Sequence, residues 1–135
     1  NLDFDQFEGV VISSVVPSQI NVFSQMSIER LGITPLTVSP ELDTGLKILY
    51  DSPRSVGADR ICNAVGGFQF YGGPLIIIDF GTATTFDVIS SSGEYLGGII
   101  ALGLHGASGE LHRVSAVLPR VALEFPKSII GNIFL

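Results

Sequence analysis

The stretch that decides the fold is LIIIDFGTATTFDVISSSGEYLGGIIAL, residues 75–102. Apolar runs rich in isoleucine, valine and aromatic residues are separated by the small-residue turn GTAT (81–84) and the polar turn SSSG (90–93). Strand-forming runs that alternate with short turns of small and polar residues are typical of hairpins. The stretch therefore predicts three consecutive strands that pair antiparallel.

The residues before this stretch predict an α/β unit. The segment GVVISSVV (9–16) is β-branched and is followed by Pro17, which predicts a strand. Residues 18–31 carry apolar side chains near helical spacing and end at Gly32, which predicts a helix. A short strand is predicted at Thr37 and Val38, before a connection rich in proline and aspartate.

Two further helices complete the predicted order of elements. Residues 58–68 place apolar side chains on one side, and the pairs Gly66-Gly67 and Gly72-Gly73 are expected to interrupt that pattern. Residues 103–118 return to helical spacing, and a last short strand is predicted at 121–123. The order β-α, α, β-β-β-α predicts an α/β fold with two lobes that meet at a cleft.

Composition excludes several classes of function. Seven Lys or Arg against thirteen Asp or Glu give a net charge of −6, which argues against nucleic-acid binding. The mean hydropathy is +0.49, yet no apolar run approaches the roughly 18 residues that span a bilayer, so a soluble protein without a membrane partner is expected. The single cysteine, Cys62, permits no internal disulfide, suits a reducing cytosol and is expected to be buried. His105 and His112 have no ligand-rich neighbourhood, and neither is assigned a function.

The motif DFGTATT (79–85) is the strongest local candidate for a binding site. Asp79 follows an apolar run where an unpaired carboxylate would be costly to bury, and Gly81 allows close approach of the backbone to a ligand. Threonine hydroxyls and backbone N–H groups would suit a phosphate. A polar hairpin whose aspartate only bonds its own turn explains the same residues, so both interpretations stay open.

The segment YDSPRSVGADR (50–60) is a second candidate. Asp59 lies in the first turn of a predicted helix, where the helix dipole alone could explain a negative charge. The functional interpretation is that Asp59 accepts a proton from a substrate hydroxyl while Arg60 supplies a cation for an anionic group. Gly97-Gly98, at a strand edge, would let a flat ligand lie against bare backbone, although paired glycines alone are a weak signal.

Taken together and in this order, YDSPRSVGADR, IIIDFGTATTFDVI, GEYLGGIIALG and LPRV resemble the type III pantothenate kinase family across nearly the whole chain. The resemblance implies the actin-like ATPase fold, in which two RNase H-like lobes hold ATP between them. Residues 1–73 would then be the remainder of the N-terminal lobe with its substrate-binding loop, and 74–135 the start of the C-terminal lobe. It also implies phosphorylation of pantothenate in coenzyme A biosynthesis, with Mg²⁺, a monovalent cation (K⁺ or NH₄⁺), a homodimer and a cytoplasmic location.

The resemblance also implies roles for individual residues. Asp59 matches the catalytic base, and Asp79 matches the residue that holds the monovalent cation. The other matched residues would contact substrates: Gly57, Ala58, Arg60 and Tyr50 with pantothenate, and Gly81, Thr82, Gly97 and Gly98 on the nucleotide side.

Three departures from the family pattern accompany the resemblance. The family's first phosphate loop, of the form Asp-x-Gly-Asn-Thr, is not in the sequence, Leu102 stands where proline is usual, and Ile133 follows Gly131-Asn132 where a threonine would reach pantothenate. Because the chain starts at Asn1 and ends on an apolar run, both ends are expected to be incomplete. A non-enzymatic regulator resembling the Bvg accessory factors and another sugar or acetate kinase are the alternative functions, and Asp59 together with Asp79 favours the enzyme.

Overall fold

The computed structural model describes residues 6–119, 123–125, 128 and 130. This part of the chain contains both helices and strands, so the predicted α/β class is confirmed. The helices are α1 (Pro17–Leu31), α2 (Ala58–Tyr71) and α3 (Leu104–Val114). The strands are β1 (Val11–Ile12), β2 (Leu36–Thr37), β3 (Lys47–Ile48), β4 (Leu75–Phe80), β5 (Ala83–Ile89) and β6 (Glu94–Leu102).

The strands form one small and one larger sheet. In the small sheet β1 pairs parallel with β2, with Val11 opposite Leu36. The larger sheet has the order β3, β6, β5, β4. The connections between β4 and β5 and between β5 and β6 are too short for a crossover, so these neighbours are antiparallel as predicted. Strand β3, which was predicted as part of a connection, pairs parallel with β6 and adds an unforeseen edge.

The described residues divide into two compact units. Those in 6–76 and 87–97 form the first unit, and those in 77–86 and from 98 onward form the second. The chain passes from one unit to the other within β4, β5 and β6. The domain division predicted from the sequence, 1–73 and 74–135, stays a prediction.

The first helix begins one residue before its predicted start and ends at the predicted residue, Leu31. Pro17 is its first residue, a position at which the missing N–H has no partner to lose. Gly32 ends it in the left-handed conformation, with φ of 67°, and its N–H donates to the Ile28 carbonyl at 3.1 Å. Because side chains rarely adopt this conformation, glycine is the residue that best ends the helix here.

The other helices differ from the prediction in length. Helix α2 continues through Gly66-Gly67 to Tyr71, so the predicted interruption there is wrong. Packing of its apolar face, on which Ile61 and Ala64 are buried, outweighs the roughly 1 kcal/mol that each glycine costs. Helix α3 ends at Val114, before the predicted end at residue 118. Ser115 Oγ accepts the N–H of Leu118 at 3.0 Å, which favours a turn over further helix.

The core of the described chain lies in the first unit. Every buried apolar side chain among the described residues belongs to it: Val38, Val56, Ala58, Ile61, Ala64, Ile89 and Tyr95. The ring of Phe68 on α2 packs against the turn before β6, where a Cβ on Gly93 would come within 2.7 Å of it. Cys62 was expected to be buried, but it is half-buried because it lies beside the packed face of α2.

Two smaller predictions have different outcomes. The strand predicted over residues 9–16 shortens to Val11–Ile12, because its partner β2 is equally short. Three predicted features lie wholly or partly outside the described residues: the strand at 121–123, the end of the LPRV motif and the position of Ile133.

Across the described part of the chain, none of the helices is both long enough and apolar enough to cross a membrane.

Candidate functional site

The turn that begins α2 carries the predicted catalytic residue. Gly57 precedes the helix in an extended conformation, and Asp59 lies in the first turn with its side chain exposed. Asp59 Oδ1 accepts the backbone N–H of Arg60 at 2.9 Å. A Cβ on Gly57 would collide with this carboxylate, so glycine gives Asp59 the room to turn back along the loop. The turn therefore presents a solvent-accessible carboxylate in a defined orientation.

The Arg60 side chain points away from solvent and pairs with a buried aspartate on β5. Arg60 Nε donates to Asp87 Oδ1 at 2.7 Å, and Nη2 lies 2.5 Å from the same oxygen without hydrogen-bond alignment. Tyr95, on β6, donates its hydroxyl to Oδ1 at 2.6 Å. The side chain of Arg60 is 13% exposed and that of Asp87 is 0% exposed. All three residues belong to the first unit.

Burial and charge shift the pKa values of two groups in this cluster. Burial raises the pKa of Tyr95, and the hydrogen bond to Asp87 and the charge of Asp87 raise it further. Burial lowers the pKa of Arg60, but its hydrogen bond and attraction to Asp87 more than offset this, so its pKa is raised. Tyr95 therefore remains a neutral donor and Arg60 a cation throughout the physiological range of pH.

Tyr50 and Gly97 meet in the first unit. Gly97 is buried on β6 with φ of 123°, and a Cβ there would lie 3.3 Å from the Tyr50 ring. The N–H of Leu49 donates to the Tyr95 carbonyl at 2.9 Å, which continues the pairing of β3 with β6 up to the residue before Tyr50. The bare backbone at Gly97 thus faces the tyrosine ring. Gly98, which was predicted to lie with Gly97 on the nucleotide side, belongs to the second unit.

The second unit contains the DFGTATT turn. Asp79 is half-buried near the end of β4, and Gly81 and Thr82 are exposed between β4 and β5. The N–H of Gly103, which precedes α3, donates to the Thr82 carbonyl at 3.1 Å. A Cβ on Gly103 would collide with the carbonyls of Gly81 and Thr82, so the start of α3 packs directly on the turn.

The second unit contains oxygen atoms of the kind that bind hard cations. Among the described residues there is no group of three or more His, Cys, Asp or Glu side chains placed to hold a metal ion. Thr84 is 5% exposed, and its hydroxyl and that of Thr85 have no hydrogen-bond partner within the described chain. One carboxylate, threonine hydroxyls and turn carbonyls are ligands suited to a monovalent cation or to Mg²⁺ bound mainly through phosphates. The monovalent-cation site implied by the resemblance at Asp79 stays a prediction.

The structure brings together some of the predicted site residues and adds two that were not predicted. Gly57, Ala58, Asp59 and Arg60 form one turn, and Tyr50 with Gly97 forms a contact in the same unit. Sequence reasoning missed Asp87 and Tyr95, which hold the guanidinium of Arg60. The signal for Asp87 was an acid inside the apolar run TFDVI, where a carboxylate requires a buried partner.

Comparisons with known proteins identify the family to which the chain belongs. A sequence model described as type III pantothenate kinase matches residues 1–133. A type III pantothenate kinase from Moorella thermoacetica is 50% identical over 131 residues, which cover 97% of this chain and 52% of the relative. One from Geobacter sulfurreducens is 50% identical over 97% of this chain and 51% of the relative. One from Koribacter versatilis is 47% identical over 98% of this chain and 48% of the relative.

The chain spans about half the length of the curated relatives it matches. The match nevertheless includes both turns described above, from Tyr50 to Arg60 and from Asp79 to Thr85. On this similarity, the chain belongs to the type III pantothenate kinase family.

Proposed function

We propose that the protein transfers the γ-phosphoryl group of ATP to the primary hydroxyl of pantothenate, giving 4'-phosphopantothenate and ADP in the first step of coenzyme A biosynthesis. The observation that carries the proposal is the exposed Asp59 carboxylate, oriented by the Arg60 N–H at the start of α2. It stands in a chain that resembles pantothenate kinases along nearly all of its length. An acceptor hydroxyl needs such a base in a fixed position.

In the proposed reaction Asp59 orients the hydroxyl of pantothenate and accepts its proton. The hydroxyl oxygen forms a bond to the γ-phosphorus while the bond from that phosphorus to the β,γ-bridging oxygen breaks, and the pair of electrons leaves with ADP. Little covalent chemistry remains for the protein, so positioning and neutralisation of charge supply most of the acceleration. Bound Mg²⁺ would neutralise charge on the phosphates.

The other predicted site residues take supporting roles in this proposal. Tyr50, Gly57, Ala58 and Arg60 would shape the pantothenate site around Asp59. Gly81, Thr82, Gly97 and Gly98 would lie on the side of the nucleotide, and Asp79 would hold K⁺ or NH₄⁺. The wider assignment is the actin-like ATPase fold with two RNase H-like lobes, in a cytoplasmic enzyme.

The test is pantothenate-dependent release of ADP by the full-length protein with Mg²⁺, in the presence and absence of K⁺ or NH₄⁺. We expect turnover that requires pantothenate and increases when the monovalent cation is added. The regulator resembling the Bvg accessory factors is the second candidate, and it would bind ligands without releasing ADP. Release that is independent of pantothenate, but supported by a sugar or by acetate, would identify a different kinase.

We also propose that the full-length protein is a homodimer. Large apolar side chains such as Ile99 (66% exposed) and Phe70 (83% exposed) lie at the surface of the described chain, and burial of such groups drives association. Light scattering of an active sample is expected to give twice the mass of one chain at assay concentrations. A fully active sample that remains monomeric would contradict the proposal.

A further inference from the structure

Asp87 is the most deeply buried charged residue of the described chain, and its contacts lead directly to the turn that carries Asp59. It is 0% exposed, and its Oδ1 faces the guanidinium of Arg60 and the hydroxyl of Tyr95. A carboxylate in such a place is costly unless it is paired and hydrogen-bonded. Since Arg60 is its only cationic partner among the described residues, burial of Asp87 depends on where Arg60 lies.

From these contacts we propose that Asp87 is a positioning residue for the phosphoryl transfer, which acts through Arg60 on Asp59. The inference rests on the proposed function. Asp87 and Tyr95 fix the Arg60 side chain, and the Arg60 backbone N–H in turn fixes the Asp59 carboxylate at 2.9 Å. The chain of contacts runs from β5 and β6 to the first turn of α2 and stays within the first unit.

The geometry favours this role for Arg60 over that of a counter-ion for the pantothenate carboxylate. Nε and Nη2 both face Asp87, so the positive charge is already neutralised by a buried partner. The guanidinium carbon also lies 5.9 Å from the centre of the Tyr95 ring, which holds the group on a second side. An arginine held in this way is better suited to fixing the position of neighbouring groups than to binding an anionic ligand.

The two roles predict different kinetic effects. A counter-ion would act on binding, so its loss would raise the KM for pantothenate. A positioning residue acts on the alignment of the base, so its loss lowers kcat with little change in either KM. Misplacement of a reacting group by about 1 Å is able to cost on the order of 10²-fold in rate.

The experiment measures kcat and both KM values for Asp87→Asn, Arg60→Gln and the double variant of the full-length protein. We expect each single variant to lower kcat by about 10- to 100-fold, as loss of an outer supporting partner typically does. The KM for ATP and for pantothenate should stay within about threefold. The kcat of the double variant should be hardly lower than that of either single variant, because both changes interrupt the same chain of contacts between Asp87 and Asp59. Glu94→Gln is the matched control, since this half-buried acid lies next to Tyr95 in β6 and pairs with the exposed Lys47. Its kcat should equal that of the wild type.

Three results would overturn the inference: losses in kcat that multiply in the double variant, a raised KM for pantothenate with unchanged kcat, or an unchanged kcat for Asp87→Asn. If Asp87→Asn does not fold, Tyr95→Phe replaces it, because it keeps the ring and removes only the hydroxyl that bonds Asp87. Tyr95→Phe should then lower kcat in the wild-type background and not in the Arg60→Gln background. The same loss in both, or none, would overturn the inference.

Failure of the inference is distinguishable from failure of the proposed function. A wild-type protein that releases no ADP with pantothenate would refute the proposed function and the kinetic role of Asp87 together. An active wild type with independent effects at Arg60 and Asp87 would refute the positioning role alone. Urea unfolding of the same variants reports on the pair without any assay, and a midpoint shift in the double variant smaller than the two single shifts combined is expected.

Discussion

Replacement of Asp59 by asparagine is expected to lower kcat by about 10²- to 10⁴-fold, the usual contribution of a general base. Asparagine keeps the size of the side chain and still accepts the Arg60 N–H through its carbonyl oxygen, but it does not take up the proton of the acceptor hydroxyl. Binding of ATP should be unchanged. The measurement is pantothenate-dependent ADP release, with nucleotide binding followed separately by calorimetry.

Asp51→Asn is the control for this experiment, because Asp51 is an exposed aspartate in the same segment. Its kcat should stay close to that of the wild type. If Asp59→Asn instead keeps kcat within threefold of the wild type, Asp59 has no part in proton transfer. Its role would then be the structural one, a negative charge in the first turn of α2.

Replacement of Asp87 by alanine is expected to destabilise the protein by about 3–5 kcal/mol, the usual cost of removing one partner of a buried ion pair. The change leaves the Arg60 guanidinium, 13% exposed, without its counter-ion, and the buried Tyr95 hydroxyl without its acceptor. Either group alone is costly to bury unpaired. The measurement is the free energy of unfolding in urea.

The matched control is again Glu94→Gln, which removes the charge of a half-buried carboxylate whose cationic partner, Lys47, is exposed to water. Its unfolding midpoint should move little. If Asp87→Ala lowers the free energy of unfolding by less than about 1 kcal/mol, the ion pair contributes no more than an exposed pair does. That result would contradict the burial described for it. Joint replacement of Arg60 and Asp87 by apolar residues should recover part of the stability lost with Asp87 alone.

The sequence alone determined the local elements and indicated candidate residues for the site. Helix α1 was predictable because Pro17 and Gly32 mark its two ends through backbone geometry that does not depend on distant contacts. Strands β4, β5 and β6 were predictable because their apolar runs are bounded by short turns. The motifs at 57–60 and 79–85 made Asp59 and Asp79 candidates, but their residues also allowed purely structural roles, and the proposed roles came from the family resemblance.

Tertiary structure alone decided what lies far apart in the chain. Strand β3 has only two residues and no readable period, and it exists because β6 offers hydrogen bonds to Lys47 and Ile48. Helix α2 continues through Gly66-Gly67 because packing of its apolar face outweighs local propensity. Arg60 and Asp87 are 27 residues apart, so no local pattern indicates that they pair. Their pairing follows from burial itself, because a carboxylate enclosed in a sheet must meet the cation that folding brings to it.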